Sequence, residues 1–259
     1  MPPRLYVDQP LSSGSTLSLP GGPARHVQVL RLQPGAALTL FNGAGGEWSA
    51  SVVHMGRGEV QVRVDDHRAT DRELALPVML ALGMPANERM DTLIEKATEL
   101  GAASIQPLVC QRSVLRLSGE RARKKVAHWQ GVAVAACEQS GRTRVPRVET
   151  VLAFEDWLAR LGAAGEVRRV VLSLASTARS ALSMDGSCAG GVLCLSGPEG
   201  GLAETEEAAA RNAGFVPVCL GPRVLRADTA PLALLAHLAL SAPFANLALL
   251  APLAHPSRR

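Results

Sequence analysis

Residues Gly191 to Gly201 read GVLCLSGPEGG. The apolar run Gly191–Leu195 has the length and composition of a buried strand. It ends in a turn rich in glycine and proline, and the glutamate-rich stretch beyond opens a helix. Strand, glycine turn and helix in that order form the unit of an α/β fold with a parallel sheet. The order recurs at Val216–Leu220, which leads through Gly221-Pro222-Arg223-Val224-Leu225-Arg226 to a last helix from about Thr229, with Pro231 tolerable in its first turn. Two such loops side by side at the carboxyl edge of a parallel sheet can enclose a small ligand.

Toward the N-terminus the alternation continues, with strands expected at Val170–Leu174, Ile105–Val109 and Leu76–Leu82. A helix capped by Asn87 places Met90, Leu93, Ile94, Ala97 and Leu100 at helical spacing until Gly101 ends it. A longer helix, Gly119 to Gln139, turns Val126, Trp129, Val132, Ala133 and Ala136 inward. Before Asp65 the pattern changes to short β-segments at Arg4–Val7, Thr16–Leu19, Ala37–Phe41, Glu47–His54 and Glu59–Asp65, with one helical insert from Ala24 to Leu32. That spacing predicts a small barrel. Asn42-Gly43-Ala44-Gly45-Gly46 lies between two strands, so it reads as a hairpin turn and not as a ligand loop. The polar stretch Asp65–Glu73 reads as a linker, which divides the chain into domains 1–71 and 72–259. The expected architecture is an α/β domain with a mainly parallel sheet preceded by a small N-terminal β-barrel.

Of the 259 residues 47% are apolar and 19% charged, which supplies a core and argues against extended disorder. Aromatics at 3% are too few for a base-stacking platform of several rings. The cysteines (Cys110, Cys137, Cys188, Cys194, Cys219) never stand at metal or redox spacing and read as buried free thiols of a reducing cytosol. The start MPPRLYVDQP has no apolar signal core, and the Ala/Leu-rich stretch from Thr229 to Leu253 is broken by Pro231, His237, Pro243, Asn246 and Pro252. A cytoplasmic protein with no metal and no membrane span is expected.

The net charge of +4 conceals a segregation: nine basic residues between Arg112 and Arg147 face only Glu120 and Glu138, a local net of +7 against −3 for the rest. Such a patch is the footprint of a phosphate backbone. Arg112, Arg116, Arg123, Lys124, Arg142 and Arg144 are the RNA-binding candidates there, joined by Arg4, His26 and Arg31 in the first domain. A merely solvated helix face is the alternative.

At the glycine turn a phosphate would meet Glu199, Glu204, Glu206 and Glu207, which already complement the helix dipole, and no lysine follows the glycines. A ligand with a positive centre, hydrogen-bonding edges and no phosphate fits better, and S-adenosylmethionine is such a ligand. A structural turn with a capped helix is the competing reading of the loop by itself.

Six stretches, Pro3–Tyr6, His26–Arg31, Ile94–Gly101, Ala135–Arg142, Gly197–Gly201 and Leu220–Thr229, together resemble, in order and spacing, the small-subunit rRNA uridine-N3 methyltransferases of the RsmE family, within the knotted SPOUT class. The resemblance implies a PUA-like RNA-binding barrel, a SPOUT domain with a deep trefoil knot, and a homodimer. The implied activity is S-adenosylmethionine-dependent methylation of N3 of a specific uridine of 16S rRNA in the small ribosomal subunit. Implied cofactor residues are Leu172, Leu195, Gly197, Glu199, Gly200, Gly201, Leu220, Gly221, Val224 and Leu225. Two stretches depart from the family pattern: Ala175-Ser176-Thr177 where a His or an acid is common, and Ala227-Asp228-Thr229 where the family has Thr-Glu-Thr.

For the chemistry, Arg226 is the candidate to stabilise charge on the uridine carbonyls. Glu138, Asp228 or water could take the N3 proton. A ribose 2′-O-methyltransferase of the same class, or a non-catalytic RNA-binding assembly protein, are the rival functions.

Overall fold

The computed structural model describes residues 2–56, 58–183 and 190–241. Cys188 and the stretch with Pro243, Asn246 and Pro252 lie outside the described residues. So do the side chains of Asn87 and Leu182.

The first 68 residues form a five-stranded sheet, β1 (Arg4–Tyr6), β2 (Thr16–Ser18), β3 (Ala37–Phe41), β4 (Glu47–Met55) and β5 (Val60–Arg68), in the order β1-β3-β4-β5-β2. Only β1 and β3 run parallel; the other pairs are antiparallel. Alternate residues point inward, as the two-residue period of a strand requires: Leu38 and Leu40, Ala50 and Val52, and Val60, Val62 and Val64 share one core. Helix α1 (Gly21–Val29) adds Ala24 and Val27 to it. Each such aliphatic side chain stabilises the fold by roughly 1.5–3 kcal/mol on burial. The strand β5 continues to Arg68, so half of the polar stretch expected to be linker is sheet, and the Trp48 and His67 rings lie 4.5 Å apart.

The remaining strands are β6 (Val78–Gly83), β7 (Ser104–Val109), β8 (Arg147–Val148), β9 (Leu152–Ala153), β10 (Arg168–Leu172), β11 (Arg179–Ser180), β12 (Val192–Ser196) and β13 (Val216–Cys219). They make an eight-stranded sheet, β11-β13-β10-β12-β6-β7-β8 with β9 beside β7, in which every pairing is parallel. Helices α2 (Asn87–Glu99), α3 (Gly119–Ser140), α4 (Phe154–Arg160), α5 (Glu204–Asn212) and α6 (Thr229–Ser241) complete the domain.

Strand alternation sorts them onto two faces. Leu80, Leu82, Val170 and Cys194 pack with α2, α3 and α6, while Ala81, Val171 and Leu195 pack with Phe154 and Trp157 of α4 and Ala210 of α5. Helix α4 and the short strands β8, β9 and β11 are not expected from the sequence, because two-residue strands carry no periodicity to read.

The two domains meet at the C-terminus of α3. The Asn42–Gly46 run is a hairpin turn between β3 and β4, and it docks on the chain beyond α3: Gly45 N–H donates to Thr143 O at 3.2 Å, and Ala44 bridges Arg144. A Cβ on Gly43 would press on Tyr6 and Val145, and both Gly43 and Gly45 have positive φ, so the glycines permit close interdomain contact.

Cys110, Cys137 and Cys194 are buried and unbonded to other cysteines, and burial pushes each thiol up to about 12. No helix among the described residues is long and apolar enough to cross a membrane.

Candidate active site

The adjacent strands β13, β10 and β12 end at the same edge of the sheet, and the loops after them enclose a cavity of about 660 Å³. That volume suits a small-molecule ligand. The insertion of β12 between β10 and β6 breaks the sequential strand order there, and such switch points are where open α/β sheets bind ligands.

The loop after β12 owes its path to missing side chains. Gly201 N–H closes a turn on Pro198 O at 2.8 Å. A Cβ on Gly197 would stand 2.7 Å from Leu202 N, and one on Gly83, at the end of β6, 2.6 Å from Pro198 N. Both distances are impossible for a real side chain, so the loop lies flat against the sheet edge only because glycine occupies both positions.

Two side chains pin this loop to its neighbours, one its own and one from the loop after β7. Glu199 Oε1 accepts the N–H of Ala86 at 2.9 Å and faces Arg89 at 3.5 Å. Ala86 is the cap residue of α2, so Glu199 satisfies the N–H of that residue and ties the start of α2 to the loop after β12. Arg112 Nη1 donates to Gly200 O at 3.0 Å and to Leu202 O at 3.3 Å. Glu206, buried at the start of α5, ties the loop after β7 to that after β12 through the N–H groups of Gln111 and Ala203, both at 2.8 Å.

Leu172, Gly197, Glu199, Gly200, Gly201, Leu220, Val224, Leu225 and Arg226 all line the cavity. Leu195 does not: it is fully buried on the opposite face against the α4–α5 core, because its neighbour Ser196 is the residue whose parity faces the site. Gly221, with φ +101, turns the chain out of β13 and is not in the lining.

Sequence reasoning named Glu207 only as one of the carboxylates at the glycine turn and missed Ser173, which meets it across the cavity wall with Ser173 Oγ donating to Glu207 Oε1 at 2.7 Å. They lie 34 positions apart, with no local pattern to join them. Ala175-Ser176-Thr177 falls beyond the lining, which ends at Leu174 on this side. Four arginines border the cavity. Arg89 and Arg112 are engaged, whereas Arg223 and Arg226 make no side-chain bond among the described residues.

The tertiary structure corrects four roles expected from the sequence. Arg112, expected at RNA, is turned onto the carbonyls of Gly200 and Leu202. Arg142 is not presented to RNA: it is 4% exposed, ion-paired with Glu73, and donates to Thr98 O at 2.9 Å and Ala102 O at 3.0 Å. Arg4 is likewise held inside the domain joint by Glu47 and the carbonyls of Gly141 and Arg142. Glu138 lies at the same joint, accepting the N–H of Tyr6 at 2.9 Å, and does not border the cavity. Burial raises its carboxyl above the usual range. The spacing of charged residues cannot distinguish a cation aimed at solvent from one folded back onto carbonyls.

Other candidates stay on the surface. His26 is exposed on α1, 4.0 Å from Glu138, and exposed Arg31 follows that helix with φ +53. Arg116, Arg123 and Lys124 are exposed before and on α3, and Arg144 beyond it. Asp228 stands two residues past Arg226, outside the lining, in contact with Thr229 Oγ1 at 3.4 Å.

A five-stranded β domain of this kind joined to a parallel α/β sheet, with a glycine-walled cavity at its switch point, defines the class. Residues 19–65 match the RNA methyltransferase PUA domain and residues 72–239 the RNA methyltransferase domain. Ribosomal RNA small subunit methyltransferase E of Synechocystis sp. is 32% identical over 91% of this chain and 76% of its own length. The crystal structure of ribosomal RNA small subunit methyltransferase E from Neisseria gonorrhoeae, bound to S-adenosyl methionine, superposes with a TM-score of 0.86 at 36% identity, covering 92% of this chain and 96% of that one. A putative methyltransferase from Legionella pneumophila, solved with bound SAM, gives a TM-score of 0.87 at 30% identity, covering 93% of this chain and 98% of the other. The chain belongs to the ribosomal RNA small subunit methyltransferase E family.

Proposed function

We propose that this protein methylates N3 of a specific uridine in the 16S rRNA of the small ribosomal subunit, with S-adenosylmethionine as donor. The observation that carries this reading is the cavity at the β13-β10-β12 edge, walled by glycine loops and bordered by free arginines, in a chain of this family. The lining fits the donor. Leu172, Leu220 and Val224 offer an apolar surface to an adenine, the backbone of Gly197–Gly201 offers hydrogen-bonding edges, and the carboxylates of Glu199 and Glu207 suit a ligand with a positive centre.

When bound, the donor supplies an electrophilic methyl group on a sulfonium. The protein's part is to place uridine N3 in line with it and to manage charge. As N3 loses its proton, negative charge spreads to the two flanking carbonyl oxygens, and Arg226, which lines the cavity, donates to them. Asp228, the residue before α6 and just outside the lining, or water takes the proton. Arg116, Arg123, Lys124 and Arg144, with His26 and Arg31 on the barrel, hold the phosphate backbone, in keeping with a division into a binding domain, 1–71, and a catalytic domain, 72–259.

The remaining assignments are a homodimer that covers Leu240, 74% exposed on α6, the trefoil knot of the SPOUT class, and a cytoplasmic location.

The test is methyl transfer from labelled donor to naked 16S rRNA and to assembled small subunits, followed by nucleoside chromatography and mass spectrometry. N3-methyluridine is the expected product. A 2′-O-methylated nucleoside would move the reaction to the ribose, and no transfer to either acceptor would refute the enzyme.

A further inference from the structure

A second cavity of about 970 Å³ lies between the first turns of α3 and the β7–β9 edge. Its floor is aliphatic: Val109, Leu117, Val126, Val151 and Leu152. Its rim carries Arg116 and Arg123. Arg116 is fixed by a bond from Nη2 to Gln111 O at 2.9 Å, and Arg123 has no side-chain partner among the described residues. Arg121, Lys124 and Lys125 continue the positive charge along α3, and the one carboxylate there, Glu120, is paired with Lys124 at 2.9 Å.

We propose that this groove binds one unstacked nucleotide of the RNA strand that carries the target uridine. The inference rests on the RNA methyltransferase reading above and gives it a second contact point. Charge complementarity selects a polyanion. The aliphatic floor then demands that the polyanion also present a flat apolar face, which RNA does when a base leaves its stack and a duplex does not.

Continuity supports the same occupant. The loop after β7 places Arg112 in the lining of the donor cavity, and four residues later Arg116 and Leu117 in the lining of the groove. A strand seated with its phosphates on Arg116 and Arg123 is thereby led toward the methyl donor. With so few aromatic residues in the chain, aliphatic side chains do the work that stacking rings do elsewhere.

The experiment compares the intact protein with Ala127→Trp and Arg123→Ala. Ala127 is an exposed residue of α3 that lines the groove, so a tryptophan there fills it without entering the core. Anisotropy titrations use a single-stranded RNA twelve-mer and a hairpin duplex of the same length, over a salt series, with methyl transfer by the unaltered protein as the control. The expected result for Ala127→Trp is a loss of about tenfold or more in single-strand affinity, the scale of one base contact, with duplex affinity unchanged. Arg123→Ala should weaken both and flatten the salt slope.

Single-strand affinity unchanged in Ala127→Trp would overturn the groove while leaving the enzyme reading intact. So would a change of oligomeric state in that variant, which would make a second copy the occupant. No methyl transfer by the unaltered protein would instead remove the reading on which the proposal rests.

Discussion

Arg112 donates from one guanidinium nitrogen to the carbonyls of both Gly200 and Leu202, so a residue of the loop after β7 fixes the shape of the loop after β12. Its basic character suggested a phosphate contact, whereas its geometry makes it a strut of the cavity wall. Arg112→Ala should weaken S-adenosylmethionine binding by about tenfold, as two charge-assisted bonds to the loop are lost. The salt slope of RNA binding should hold. Calorimetry for the donor and a salt series for RNA separate the two roles, and Arg112→Lys should recover part of the loss.

Arg226 has the opposite profile. Its side chain makes no bond within the described protein, while its backbone carbonyl receives Thr229 and Ala230 N–H and starts α6. Arg226→Ala should therefore leave the fold and donor binding close to intact and lower single-turnover methylation by roughly 100- to 1000-fold, as removal of one charge-stabilising donor does. Rapid-quench measurement at saturating donor would expose unaffected turnover, which would exclude Arg226 from the chemistry.

Arg142 predicts a change in stability. Removing its side chain leaves Glu73 without its partner and Ala102 O without its donor, while Thr98 O keeps the N–H of Gly101, a loss of about 3–5 kcal/mol. Denaturant unfolding should show it. The salt dependence of RNA binding should be unchanged in this variant, whereas Arg144→Ala, at an exposed cation, should lower the slope by about 0.7–0.9.

Glu47 makes the domain joint sensitive to acid. Burial raises its carboxyl, but Arg4 and Arg72 outweigh that, and the group is held below the usual range. A carboxylate with a depressed folded value adds stability above its unfolded value and loses it as pH falls through the folded one. Glu47→Gln should thus be less stable than the parent at neutral pH, with the gap closing below about pH 4. Parallel melting curves for the two proteins would check this, and a pH-independent gap would assign the effect to packing.

Gly83 tests the close approach of β6 to the donor loop. Gly83→Ala puts a methyl group where Pro198 already stands, so the loop must move outward at a cost of about 1–3 kcal/mol. Donor affinity should fall more than RNA affinity. Equal donor binding in this variant would show that the loop tolerates displacement.

The elements that could be read in advance are those long enough to show a period. The apolar spacing of Met90, Leu93, Ile94 and Ala97 identified α2, and the alternation through Val60, Val62 and Val64 marked β5 as far as Asp65. The strand's last stretch of pairing, to Arg68, was hidden because its residues are polar and exposed, and its partner Glu47 is remote in sequence. Within the site, the glycines and Arg226 were legible because backbone freedom and a charge beside a glycine turn are local signals. The Ser173–Glu207 bond, and that of Glu199 to Ala86 at the start of α2, were not, since each joins positions that only the sheet order brings together.

The sequence by itself determined the class of fold, the position of the glycine loops that wall the cavity and the concentration of positive charge between Arg112 and Arg147. These follow from periodicity, from glycine placement and from composition, all properties of the chain read locally. Tertiary structure alone decided which of those charges face outward. Arg4 and Arg142 are folded onto carbonyls and carboxylates at the domain joint, Arg112 braces the donor loop, and Arg123 and Arg144 stay exposed. The physical reason is that a guanidinium's role is fixed by its partners in space, and those partners lie 40 to 90 residues away in the braces of Arg142 and Arg112.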